Sequence, residues 1–119
     1  MTTLFERLGG EENIVKISNN IVEFHSVNPA FKSRFVDSDI AKLKKSVADF
    51  FITGSGGPNV YQGEDMLTAH KGMNISDNEY MAAVDDVMKA LENNGITGDA
   101  EKSEVLYIFY SLRPDVVAV

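Results

Sequence analysis

GGPNVYQGEDMLTAHKGMNI, residues 56–75, is the stretch around which the chain is organised. A glycine pair and a proline open a loop with few apolar residues and no helical period. The loop closes in one short predicted helical turn over 65–71, which carries His70. Met66 lies four residues before His70 and Leu67 three before it, so all three are expected on one face. Gly72 stops the turn. The expectation is a histidine on the apolar side of a short helix, behind a long and adaptable loop.

Outward from that run, the apolar residues recur at helical spacing. Thr3 and Glu6 fit a capping box, and the short helix after Thr3 ends at Gly9–Gly10. Glu11 and Glu12 favour a new start, and Ile14, Ile17, Ile21, Phe24 and His25 then mark one helical face. Asn28–Pro29 ends that helix, and Phe31 and Phe35 fall in a short turn-like segment. Ile40, Leu43, Val47, Phe50 and Phe51 repeat the pattern, with Lys42, Lys44 and Lys45 off the stripe. Beyond the central loop, Ser76 and Glu79 predict a second capping box, followed by Tyr80, Val84, Val87, Met88 and Leu91 and a stop at Asn93–Gly95. Asp99 is the expected cap of a last helix that turns Val105, Ile108, Phe109, Leu112 and Val116 inward. Strand alternation and internal repeats are absent, so the class is all-α, with one domain over residues 1–119.

Composition narrows the function. A chain of 119 residues with 44% hydrophobic content can bury a single core. Its net charge of −7 repels phosphate over most of the surface and argues against nucleic acid as a partner. With no cysteine, disulfides, thiolate nucleophiles, iron–sulfur clusters and cysteine zinc sites are excluded together. No segment approaches the roughly 20 apolar residues of a membrane span. The N-terminus lacks the basic start and apolar core of a signal peptide. A soluble, cytoplasmic, monomeric protein is expected.

The chemistry-bearing motifs are few. His25 and His70 are the two histidines, and no paired spacing for zinc exists. Gly54-Ser55-Gly56 lacks the spacing of a nucleophile elbow, and the glycines at 54–57 are followed by no lysine at phosphate-loop distance. The scattered Met66, Met73, Met81 and Met88 read as core filling. A lone imidazole cannot hold a bare ion that wants four or more ligands. A porphyrin supplies four nitrogens itself, so one histidine suffices for its iron. The phenylalanine-rich stripes supply apolar walls for such a ring, and Lys42 and Tyr61 are candidates for the polar groups its mouth would need. A satisfied surface histidine on a short helix is the alternative for His70.

The chain resembles the group I (N-type) truncated haemoglobins, short globins with a two-over-two α-helical sandwich enclosing haem. The likeness rests on LFERLGGEENI, NPAFKSRF, DIAKLKKSVADFF, GGPNVYQGEDMLTAH and a C-terminal RPDVV, and it spans nearly the whole chain. It implies haem b (iron protoporphyrin IX) as cofactor, with His70 as the proximal iron ligand. Phe35 matches the phenylalanine that stacks on haem, Phe50 and Phe51 a pair on the distal helix, and Lys42 a residue near a propionate. Met66 and Tyr80 match haem-wall positions, with Val84 on the same stripe as Tyr80.

The departures bear on function. The family's oxygen-binding tyrosine falls on Val22, its partner glutamine on Val47, and the usual first distal position on Leu43. A position that binds iron in some relatives is Ser46. The distal side is therefore expected to be apolar, with weak retention of oxygen and a preference for carbon monoxide. His25, three residues after Val22, either faces that cavity or is buried against a backbone carbonyl or water. The leading function is reversible binding of diatomic gases (O2, CO, NO). The alternatives are a nitric oxide dioxygenase served by an external reductase, and a haem-based sensor or interaction module.

Overall fold

The computed structural model describes residues 2–119 and contains six α-helices with one 3-10 turn. α1 spans Leu4–Arg7, α2 Gly10–Val27, α3 Ile40–Gly54, α4 Met66–His70, α5 Asp77–Asn93 and α6 Asp99–Val116. The 3-10 turn, Lys32–Phe35, links α2 to α3. Side chains cap most of the helix starts. Thr3 accepts from the Glu6 N–H, Asp39 from Lys42, and Asp65 from Thr68. Ser76 and Glu79 form both halves of the predicted capping box. The last helix departs from expectation. Its N-cap is Gly98, which has no side chain to offer, and Asp99 is the first helical residue, where its charge favours the helix dipole.

α2 lies along α3 and also packs on α5, which pairs with α6. These two pairs make the two-over-two sandwich. Two apolar clusters hold it together. The larger joins Ile14, Ile17 and Ile21 of α2 to Phe51 and Ile52 of α3, Val87 and Leu91 of α5, and Val105 of α6. Each fully buried Ile or Leu contributes about 1.5–3 kcal/mol. The smaller gathers Tyr80, Val84 and Val116, with Met66 of α4 against them. Phe109 touches both clusters.

α4 rests on α6. The glycine pair ahead of it has a physical reason. Gly56 adopts φ +98°, the left-handed region. A Cβ at Gly57 would lie 2.4 Å from Cδ1 of Phe5 and 2.8 Å from the Ile52 carbonyl oxygen. The loop beyond is laced rather than slack, because Oγ1 of Thr53 accepts from the N–H groups of Val60 and Tyr61, each at 3.0 Å. Among the described residues no strand forms, apart from an isolated parallel bridge between Ile75 and Val117. No helix there is long and apolar enough to cross a membrane.

Candidate functional site

The site is built on His70, the last residue of α4. Its Nδ1 lies 2.8 Å from the Met66 carbonyl oxygen. A carbonyl only accepts, so Nδ1 carries the proton in this contact and Nε2 keeps its lone pair. A backbone carbonyl on one ring nitrogen is the arrangement that orients a histidine to bind metal through the other. Met66 packs toward Tyr80 and Val84, as expected. Leu67 does not share that side: it is 45% exposed, because a five-residue helix resting on α6 covers only one of its flanks. Among the described residues no group of three or more His, Cys, Asp or Glu is placed to hold a bare ion.

α3 carries a second apolar surface. The sequence marks Ile40, Leu43, Val47, Phe50 and Phe51 as its inward stripe; Phe51 is buried, whereas the other four are only half-buried. The buried residues are Ala48, Phe51 and Ile52. At 100° per residue the two sets are centred about 120° apart around the helix. One face of α3 thus serves the packing on α2, and the neighbouring apolar stripe is left for something else. Val47 and Phe50 rest their flanks on the core. Ser46 and Lys42 lie off the stripe and are exposed.

The aromatic residues fall in separate groups. Phe35, at the end of the 3-10 turn, is half-buried, and its ring centroid is 6.0 Å from that of Phe31. Tyr61 meets Phe50 edge-on at 5.5 Å. Its hydroxyl donates to the Glu64 carbonyl at 2.6 Å, and burial raises its pKa. Tyr80 donates its hydroxyl to the Phe109 carbonyl, and burial pushes it up to about 12. Tyr107 and Tyr110 stand on α6, 74% and 58% exposed. Both tyrosines expected near the slot therefore spend their hydroxyls on main-chain carbonyls.

Val22 is 1% exposed, deep in α2. His25 has a side-chain partner that the sequence reading did not name. Its Nδ1 is 2.8 Å from Oδ2 of Asp86, so the ring nitrogen is tied to α5 and not free to reach toward α3. Asn28 donates to the same carboxylate, at 3.3 Å to Oδ1 and 3.1 Å to Oδ2. The His25 ring also stands edge-on to Phe31 at 4.9 Å and lies 6.0 Å from Phe35. Burial lowers the His25 pKa, and the hydrogen bond it donates to Asp86 only partly offsets this. Asp86, 3% exposed, escaped the sequence reading. The signal was its place four residues before Ala90, on the small-residue edge of the α5 stripe.

Comparison with known proteins agrees with this architecture. The family described as Bacterial-like globin matches residues 3–116. A group 1 truncated haemoglobin from Tetrahymena pyriformis is 30% identical over 115 residues, covering 97% of this chain and 94% of that protein. The crystal structure of the truncated haemoglobin from Tetrahymena pyriformis in its Fe(III) form superposes with a TM-score of 0.93 at 29% identity, covering 99% of this chain and all of that one. The 2/2 haemoglobin from Synechococcus sp. PCC 7002, solved in the cyanomet state with covalently attached haem, shares the fold at a TM-score of 0.88 and 23% identity, over 98% of each chain. With its helices and these likenesses in agreement, the chain belongs to the bacterial-like globin family, among the truncated haemoglobins and so among the haem-binding globins.

Proposed function

We propose that the chain holds haem b with Nε2 of His70 as the sole protein ligand to iron, and that it binds diatomic gases reversibly in an apolar pocket. The observation that carries this reading is the Nδ1 contact of His70 with the Met66 carbonyl, which leaves the other ring nitrogen as a lone-pair donor. The residues fit the group. A flat apolar ring needs two apolar walls and a polar edge. Leu43, Val47 and Phe50 offer one wall, Met66, Tyr80 and Val84 the other, and Phe35 an aromatic face beside them. Lys42, exposed at the start of α3, supplies a cation for a propionate. When bound, the porphyrin iron supplies an open coordination position for a gas molecule.

The chain's own part is to orient and to exclude. Met66 fixes the histidine ring through its carbonyl, and the apolar walls keep water from the ring. Val22, Leu43 and Val47 offer no hydrogen-bond donor from their side chains. Tyr61 and Tyr80 have committed theirs elsewhere. Gas retention would then rest on the bond to iron alone, which favours CO over O2. Absorption spectra of the ferric, ferrous and CO-treated protein test the reading. A haem Soret band that survives gel filtration and shifts with CO is expected. A chain that emerges free of pigment after incubation with haem would overturn it.

A further inference from the structure

The groups that flank the proposed slot come from segments far apart in sequence, and one side chain joins them. Arg34 precedes Phe35 in the 3-10 turn. Its Nε donates to Oε2 of Glu79 at 2.5 Å and its Nη2 to Oε1 at 3.1 Å. Its Nη1 donates to the Met73 carbonyl at 3.3 Å. Met73 in turn donates its N–H to the His70 carbonyl at 3.1 Å. Glu79 is itself fixed, because its Oε1 also accepts from the Ser76 N–H at 3.2 Å in the α5 capping box. A single guanidinium therefore ties the turn carrying Phe35 both to the start of α5 and to the loop leaving His70.

That loop is clamped from its other side as well. Asn74 donates its N–H to the Val119 carbonyl, and Ala118 donates to the Ile75 carbonyl, both at 2.9 Å. Asn74 and Ala118 have φ of +48° and +59°, left-handed conformations that non-glycine residues adopt at a cost. The surrounding contacts hold the loop against that cost.

We propose that Arg34 is a positioning residue: by bridging Glu79 and the Met73 carbonyl it fixes the separation between Phe35 and His70, and with it the grip of the slot on haem. This rests on the haem reading above. The bridge needs the planar fork of arginine, because a lysine ammonium cannot span both carboxylate oxygens and a carbonyl in one plane. The relevant variants are Arg34→Gln and Arg34→Lys. Two rates are measured: haem transfer from the loaded protein to an excess of another globin's apoprotein, and hydrogen exchange of the Met73 amide in the haem-free chain.

Both variants are expected to lose haem about 3- to 10-fold faster than the parent, the range for a bidentate pair partly open to water. Exchange at Met73 should accelerate with it. Parent-like transfer and exchange in Arg34→Lys would show that charge alone suffices and would overturn the bridge. Parent-like transfer in Arg34→Gln would overturn the link to haem even if exchange rose. A parent chain that takes up no haem sinks the haem reading instead, and the exchange rates still decide whether Arg34 holds the loop.

Discussion

Replacing Leu43 by glutamine is expected to slow O2 release from the ferrous, haem-loaded protein about 10-fold. Leu43 is half-buried on the α3 stripe, and glutamine is close to it in size, so the change adds a donor with little repacking. O2 draws partial negative charge when it binds, and a hydrogen bond to a charged acceptor contributes about 1.5–3 kcal/mol. A tenfold change corresponds to about 1.4 kcal/mol, near the lower end, which suits a flexible side chain that must be ordered. CO takes up less charge, so its release should change by no more than about threefold. Stopped-flow release rates for both gases check this. O2 release that is already slow in the parent and indifferent to glutamine would mean that the pocket holds a donor of its own.

Replacing His25 by leucine is expected to cost about 3 kcal/mol of stability. The change removes a hydrogen-bond donor from Asp86 and leaves a carboxylate that is 3% exposed with Asn28 alone. The double change of His25 and Asp86 to leucine should recover much of the loss, since no charge then remains buried. The sign of the pH dependence follows from the same contacts. Burial lowers the His25 pKa in the folded state, whereas the unfolded chain takes up its proton near the ordinary value of about 6.5. Below that value the unfolded chain binds more protons, so stability falls as pH drops through it. Urea denaturation at pH 7.5 and 5.5 should show this decline in the parent and less of it in the leucine variant. The ferric spectrum of the variant should stay as it was, because the His25 Nδ1 is committed to α5. A variant as stable as the parent would mean that Asp86 is not dependent on His25.

Much of this fold is legible in the sequence because local rules set it. The caps at Thr3, Asp39, Asp65 and Ser76, and the stops at Asn28 and Gly95, depend on neighbours a few residues away. The site is less legible because it depends on packing between elements. Period alone marks Leu43, Val47 and Phe50 as inward, and does not say that the helix buries a different face against α2. Asp86 reads as a polar-face carboxylate until His25 and Asn28 arrive from α2 across 61 and 58 residues. Arg34 and Glu79, 45 residues apart, carry no mark in sequence that they meet. Leu67 shows the converse error: helical spacing placed it beside His70, but a five-residue helix has too few neighbours to cover it.

Whether the His70 imidazole is the iron's protein ligand is tested most simply with His70→Gly. Its ferrous haem complex is titrated with free imidazole and followed by absorption and by the iron–nitrogen stretching band in resonance Raman spectra. The variant should lose the parent's iron–histidine band, hold haem at least about 10-fold more weakly, and regain a parent-like spectrum when imidazole fills the gap. A variant that keeps the parent's band and haem affinity without imidazole would rule His70 out as that ligand.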